Sequence, residues 1–332
     1  MPRIFTIVAP AAWLISFMLM QRRVEPFYTH FYPIAWWCYI VFVAAWNEMG
    51  PASRLFRFPS LFQRPLSYAG LVLYSSVVWF FFELYNTRLH NWAYIGVPVQ
   101  WWIRWPGYFI SFGTVLPGIF ETARWLEARW AATTKTPVAT AGTAGWRRGA
   151  GRLAVAGGAA CMVLPILYPD WFFPLIWFGL VFLLDPLMQN AGDGSFVVNL
   201  CAGDRRRPLL LMCSGLICGL FWEFWNYWAG AKWVYALPYF HFWRIFEMPA
   251  LGYLGFLPFG LECWLFFTAA SELWGHSKAG LRVALVLLAA VICAAGVLAI
   301  DRYTVRSYNV PFFDDSKVAT QPPAATSSIT SL

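Results

Sequence analysis

The sequence predicts an all-α fold: a polytopic helical membrane protein of about nine transmembrane helices, built as two parallel four-helix repeats plus one extra helix. Three observations carry this. Hydrophobic residues make up 60 % of the 332-residue chain and charged residues only 12 %, whereas roughly a quarter of a soluble domain is charged. The apolar residues fall into nine long runs. Finally, one ordered set of residues occurs twice at an offset of 140 or 141 positions. Glu83, Asn86, Trp92, Tyr94, Pro98, Arg104, Pro117 and Glu121 answer to Glu223, Asn226, Trp233, Tyr235, Pro238, Arg244, Pro258 and Glu262, and the pairs Pro33/Pro174 and Trp36/Trp177 extend the match upstream.

Taken in order, Ile4–Met20 follows a single Arg and precedes Gln21-Arg22-Arg23 with no small-x-small cleavage site. It reads as a retained first helix, not a signal peptide. Phe31–Trp46, Tyr68–Leu84 and Tyr108–Thr122 complete the first repeat, and Leu153–Tyr168, Trp171–Met188, Leu209–Trp228 and Ala250–Leu273 form the second. Leu281–Ile300 is the additional helix. Several runs fall short of the roughly 20 residues that cross a bilayer core, so their ends are expected to extend into the aromatic flanks. Backbone in lipid must satisfy its own hydrogen bonds, and these runs are too long and continuous for barrel strands. An even number of helices per repeat inserts both copies the same way up.

The chain accordingly divides into a first transmembrane repeat (1–130), a flexible cytoplasmic linker rich in Ala, Thr and Gly (131–151), a second transmembrane repeat (152–275), an additional helix (276–300) and a polar, disordered tail (301–332). With nine spans, the larger share of Lys and Arg falls on the side of the N-terminus. That places the N-terminus in the cytoplasm and the protein in the cytoplasmic membrane. The net charge of +8 flanks spans and meets anionic lipid headgroups, so no nucleic-acid partner is called for. The seven Cys residues form no CxxC and read as small packing residues. His30, His90, His241 and His276 show no ligand spacing. Neither a metal site nor any cofactor is expected, and no protein partner is indicated.

The chemistry rests on carboxylates in apolar helices. Glu83 and Asn86 are three residues apart, as are Glu223 and Asn226, so each pair shares a helical face. In the following helix Pro117 precedes Glu121, and Pro258 precedes Glu262, by four residues; such a proline frees a carbonyl and kinks the helix. A carboxylate inside a bilayer costs at least ~2.5–3.5 kcal/mol, so it faces protein or a wet cavity and is a functional candidate by default. A protonated glutamate among aromatic rings is a usable general acid, Asn226 is a candidate to orient it, and the faces of Trp222, Trp225 and Tyr235 suit a developing carbocation. Asp185 has no counterpart in the first half, where the offset lands on Ala44. The second half is therefore read as the working copy, with Glu223, Glu262 and Asn226 catalytic and Trp222, Trp225, Trp233, Tyr235, Asp185 and Arg244 on an apolar lipid substrate. Glu83, Asn86, Glu121 and Arg104 form a pseudo-site in the first repeat. Two other readings stand beside this one. Arg104 and Arg244 would pair with the glutamates as an interhelix lock, or the carboxylates would line an ion or proton pathway. The Trp92-x-Tyr94 and Trp233-x-Tyr235 elements read as membrane-interface anchors, with pocket walls as the alternative.

The segment Trp222-Glu223-Phe224-Trp225-Asn226, then Trp233-Val234-Tyr235, then Gly255-Phe256-Leu257-Pro258 leading to Glu262-Cys263-Trp264-Leu265-Phe266-Phe267 resembles the lycopene cyclase domain of bacteria, archaea and fungi. That family carries a Trp-Asp-Asn segment, a Trp-x-Tyr element and a Pro-x-Glu-Glu helix ending in Leu-Phe-Phe, in a tandem of helical halves. A looser likeness runs to the membrane terpene cyclases of fungal meroterpenoid pathways. The resemblance implies an isoprenoid or polyene substrate, cyclase, isomerase or hydratase chemistry, and acid or cation-stabilising roles for Glu223 and Glu262. Cys263 stands where the family has its second Glu, and each repeat here holds four helices instead of three. A membrane transporter with intramembrane carboxylates and a non-catalytic membrane assembly partner are the competing functions.

Overall fold

The computed structural model describes residues 2–130, 144–190, 195–201, 203–239 and 242–306. The first half holds α1 (Pro2–Gln21), α2 (Phe31–Asn47), α3 (Pro65–Leu89), α4 (Trp101–Phe112) and α5 (Val115–Arg129). The second holds α6 (Ala144–Leu167), α7 (Pro169–Phe172), α8 (Ile176–Leu184), α9 (Phe196–Cys201), α10 (Arg206–Trp228) and α11 (Phe256–His276), followed by α12 (Ala279–Ala299). The long helices are apolar on nearly every face, the mark of helices in lipid or deep in a core. Among the described residues, Pro2–Gln21, Pro65–Leu89, Ala150–Leu167, Pro169–Met188, Arg206–Trp228, Ala250–His276 and Ala279–Thr304 are long and apolar enough to cross a membrane, seven in all. The protein thus reads as a multi-pass helical membrane protein.

Two of the nine expected spans differ. The helix α2 is apolar but only 17 residues long. Tyr108–Thr122 is broken at Gly113-Thr114 into the end of α4 and the start of α5. Pro117 has no N–H to offer the Gly113 carbonyl, so the helix cannot run through. Ser75 of α3 fills the gap: its Oγ donates to the Phe112 carbonyl (2.7 Å) and accepts from the Leu116 N–H (3.0 Å). Two boundaries move as well. Residues 144–151 of the expected linker already belong to α6, and its residues 131–143 lie outside the described residues. The expected tail begins inside the fold, because Ile300–Thr304 forms a π-helical turn with Thr304 and Val305 fully buried; 307–332 lie outside the described residues.

The connections after α1, α3, α6, α10 and α12 meet at one end of the bundle. Strands β1 (Trp92–Ile95) and β2 (Lys232–Tyr235) pair antiparallel there, with Trp92 opposite Tyr235 and Tyr94 opposite Trp233. Val305 adds alongside Tyr94 in parallel, and the Arg306 N–H donates to the Tyr94 carbonyl at 2.9 Å. Gly230 N–H donates to Tyr28 O (2.8 Å), and Tyr239 Oη donates to Trp171 O (2.9 Å). Gly96 sits at φ +67°, and a Cβ there would lie 2.1 Å from the Gly230 carbonyl oxygen, so this turn takes only glycine. A second short hairpin, β3 (Arg244–Ile245) with β4 (Met248–Pro249), leads through the 3-10 helix Ala250–Gly255 into α11.

Between the halves, Trp36 of α2 packs on Trp222 and Trp225 of α10 (centroids 5.4 and 4.7 Å), while Trp177 of α8 stacks on Phe82 of α3 (5.3 Å). Each half therefore seats a tryptophan against the third long helix of the other. At the opposite end, the Glu127 carboxylate of α5 accepts from the Arg54 and Leu55 N–H groups at 3.0 and 3.1 Å. Arg124 lies 3.4 Å over the Phe58 ring and donates to the Phe58 carbonyl.

Candidate functional site

The duplicated glutamates sit one to two turns before the ends of their helices, beside the β1–β2 pair. Both are fully buried. Tyr94 Oη donates to Glu83 Oε1 at 2.6 Å, and Tyr235 Oη donates to Glu223 Oε1 at 2.7 Å. Burial first, and then the carboxylate itself, raises both phenols well above their usual range, so each stays an O–H donor. The asparagines one turn on do not touch the carboxylates. Asn226 Nδ2 donates to the Trp233 carbonyl (2.9 Å) and its Oδ1 accepts from the Trp233 N–H (2.9 Å). Asn86 holds Trp92 through the same two backbone groups, at 2.8 and 3.3 Å, and also accepts from the Asn91 N–H. The expected catalytic role of Asn226 is therefore corrected: it fastens the strand that carries Tyr235 to the helix that carries Glu223. Asn226→Ala is expected to leave two buried backbone groups unpaired and to destabilise the protein by about 1–3 kcal/mol, read as a lower midpoint in thermal unfolding in detergent.

The two copies differ around the carboxyl. Trp79 Nε1 and Trp92 Nε1 also donate to Glu83 Oε1, at 2.8 and 3.0 Å. At the offset position the second half has Gly219, and the Phe256 ring lies over it, 2.2 Å from where a Cβ would be. The first half has Val115 where the second has Phe256, so large and small residues have changed places. Phe256 has no donor, so Glu223 lacks the bond that Trp79 gives Glu83; Tyr235 makes its close contact, Trp233 and the Met248 backbone also reach the carboxyl, and Oε2 is without a partner in both copies.

An aromatic cavity of about 320 Å³ lies between the halves at this end. Tyr32 and Trp79 line it from the first half, and Trp177, Trp222, Trp233 and Phe259 from the second. Glu223 is the one carboxyl on its wall among the described residues. Glu83 is not on the wall, since Trp79 stands between. The expectation that the Trp-x-Tyr elements are interface anchors fails: Trp92 and Tyr94 are buried in the strand pair, and both elements face the cavity. Trp233 and Tyr235 keep their place as walls, with Trp222.

Other expected members lie elsewhere. Glu262 is fully buried but accepts from the Leu180 N–H of α8 at 3.3 Å, and it does not line the cavity. The face of α11 that reaches the cavity belongs to Phe256 and Phe259, three residues apart, and Glu262 turns toward α8. Glu121 belongs to the other end of the bundle, accepting from Asn47 Nδ2 at 2.9 Å with Arg124 at 3.9 Å. Trp225 packs on Trp36, Tyr39 and Phe221 instead of the cavity. Asp185 is a loop anchor: it accepts from Ser195 Oγ and from the N–H groups of Phe196 and Val197 at the start of α9. Arg244 lies in β3, off the cavity wall.

The predicted glutamate lock is replaced by another. Arg104 does line the cavity, but it grips Asp301: Nε to Oδ1 at 2.8 Å and Nη2 to Oδ2 at 2.6 Å. Trp105 Nε1 and Tyr108 Oη donate to the same carboxylate, and Arg104 Nη1 donates to Pro98 O. Asp301 was missed because it was placed in the tail; an acid directly after a long apolar run, with Arg104 inside the same domain, was the available signal. Lys232 and Glu247 were missed too. Lys232 Nζ donates to Glu247 Oε1 (2.8 Å) and to Tyr227 O (3.2 Å), with both side chains largely buried. Glu247 sits in the β3–β4 turn beside Phe246, whose φ of 59° is strained for a bulky residue by about 1–3 kcal/mol. The Phe246 ring packs on Phe224 and Tyr227 (5.4 and 5.7 Å), which offsets that strain.

No family model matches the chain, and no curated protein or solved structure is significantly similar to it.

Proposed function

We propose that the protein is an integral membrane enzyme that protonates an isoprenoid or polyene lipid held in the aromatic cavity, with Glu223 as the acid. The observation that carries this is the asymmetry between the copies. One glutamate takes a bond from Trp79 and lies behind that ring, off the cavity; the other has Gly219 at that place and stands on the wall of an apolar cavity. In the proposed step the Glu223 proton passes to an alkene carbon, and the π electrons of that bond form the new C–H bond. The cation left on the neighbouring carbon faces the rings of Trp177, Trp222 and Trp233, whose quadrupoles stabilise it. Either the Glu223 carboxylate takes a proton from a carbon adjacent to that cation, which gives isomerisation, or a second double bond attacks the cation to close a ring and the carboxylate then takes a proton from beside the new cation, which gives cyclisation. Tyr235 holds the carboxyl through both states.

The same reading takes the halves as parallel repeats about an axis along the membrane normal, passing between β1 and β2. Its support is the register, in which each strand's Trp faces the other's Tyr. With the N-terminus in the cytoplasm, the cavity belongs to the outer side of the cytoplasmic membrane.

Deuterium tests the proposal. Purified protein in nanodiscs is incubated in D2O with a neutral isoprenoid extract, and the lipids are analysed by mass spectrometry. The expected result is carbon-bound deuterium in one lipid species and a matching loss of its precursor. Lipid that co-purifies and binds without acquiring deuterium would make the protein a binding module instead.

A further inference from the structure

The aromatic cavity has a closed side and an open one. Loops roof it at the β1–β2 end. Gly230 and Ala231 donate their N–H groups to the Tyr28 and Thr29 carbonyls at 2.8 and 3.4 Å, which knits the connection after α1 to the one after α10. The Tyr32 ring stands edge-on to Trp233, with centroids 5.1 Å apart. Thr29 and Ala231 line the cavity in this roof, and the polar wall residues His30, Asn91 and Lys232 are half-buried or buried.

The wall side chains that stand exposed, among the described residues, are Ile103, Phe178, Leu251 and Leu254. All four are apolar. Ile103 belongs to α4 of the first half, whereas Phe178 lies in α8 and the two leucines in the 3-10 helix Ala250–Gly255 of the second. Wall residues open to the outside mark a mouth, and this one lies on the flank of the bundle, between the halves. Such an exposed apolar rim fits lipid or a ligand chain, not water. Its level follows from Trp101, Trp102, Trp171 and Trp243, which are exposed at the same end as the side chains of an interfacial belt are. Ile103 directly follows Trp102, so the mouth begins at the belt and opens onto the hydrocarbon below it.

Along α4, Ile103, Gly107 and Ser111 recur every four residues on the cavity wall and form one stripe. It runs inward for about 12 Å at the helical rise of ~1.5 Å per residue. Glycine weakens a helix relative to alanine, and no packing requires it at Gly107: a Cβ there would meet nothing within 4 Å. The other wall glycines, Gly252 and Gly255, would meet Met248 and Trp177 within that distance. The stripe is thus a groove whose floor is a glycine that no side chain covers.

We infer that a neutral lipid chain enters the cavity sideways from the leaflet on the β1–β2 side, between α4 and the 3-10 helix, and lies along the Ile103–Gly107–Ser111 groove. This rests on the reading of the cavity as a lipid site, and adds to it the route, the leaflet and Gly107 as the residue that admits the chain. The four rim side chains carry no charge and the neighbouring Arg104 is held by Asp301, so the mouth selects a hydrocarbon tail over a charged headgroup.

Photolabelling tests the route. Full-length protein in nanodiscs is loaded with a neutral prenyl ether bearing a diazirine at the far end of its chain, irradiated, and digested for mass spectrometry. Adducts are expected on the inner wall, at Trp222 or Phe259, and on the outward-facing Leu254. Gly107→Leu is expected to lower the inner-wall adducts about tenfold or more by filling the groove, and to leave those on Leu254. Gly70→Leu, at an exposed glycine of α3 with equal room but no place on the cavity wall, should match wild type. Where Gly107→Leu does not accumulate, Ile103→Trp at the rim carries the same expectation. Inner-wall adducts undiminished in these variants would overturn the inference while leaving deuterium transfer, and the acid chemistry, intact. Their absence from wild type would overturn it together with the lipid site. Inner-wall adducts in wild type without deuterium transfer would instead keep the route and withdraw Glu223 as the acid.

Discussion

Glu223→Gln is expected to slow deuterium transfer to the lipid by about 10²–10⁴-fold and to leave a folded protein. Glutamine fills the same volume, and its Oε1 still accepts from Tyr235, the close contact that Glu223 makes. What it cannot do is release a proton to carbon. Glu83→Gln and Glu262→Gln supply the contrast. Glu83 is screened from the cavity by Trp79, and Glu262 faces α8, so both variants should turn over within a few-fold of wild type. Initial rates of label incorporation, taken with unfolding midpoints, decide the matter. Loss of folded protein in all three glutamine variants would mean that the carboxyls are structural, and the catalytic reading would be withdrawn.

Asp301→Asn is expected to cost about 1.5–3 kcal/mol of stability, the range for hydrogen bonds to a charged group, because the Asp301 side chain is 20 % exposed and asparagine keeps one acceptor oxygen. Arg104 is 9 % exposed at its side chain, and four donors converge on Asp301. With asparagine in place the guanidinium keeps its carbonyl contacts and loses its counter-charge. The π-helical turn and Val305 then lose their anchor, and β1 loses the strand on its outer edge. Thermal unfolding in detergent gives the magnitude. Arg104→Met/Asp301→Leu should recover most of the loss, because replacing both members by apolar residues removes the unpaired charge. A double variant as unstable as the single one would show that the carbonyl contacts of Arg104, not the ion pair, hold the helix.

Much of this architecture was legible in the sequence because duplication makes spacing informative. The common offset of Glu83/Glu223, Asn86/Asn226 and Tyr94/Tyr235 anticipated two sets of matching contacts. The partners were harder to read. Asn226 looked like an aid to Glu223, yet its side chain has the donor and acceptor of a peptide and was taken by the Trp233 backbone. Strands β1 and β2 are four residues each, too short for periodicity to announce them, and each finds its mate in the other half. Glu262 was placed in the site by its motif, but which face of α11 meets the cavity depends on packing against α8. The exchange of Trp79 and Val115 for Gly219 and Phe256 was visible at the offset. Its meaning was not, because the two positions meet only in the folded chain.

The β1–β2 register has a consequence for how such a molecule arises. Trp92 with Tyr235 and Tyr94 with Trp233 are one contact made twice. Two separate copies of a single half would make the same contact with each other, an isologous joint between identical protomers. Each half alone would also present an unpaired strand edge that invites that partner. In such a homodimer every substitution falls on both carboxyls at once. Once the copies share a polypeptide, Trp79 can remain in one while glycine takes its place in the other, and α12 can brace only the copy that holds Arg104. Gene fusion would then be what allowed one acid to be sealed and its twin to be left facing a cavity.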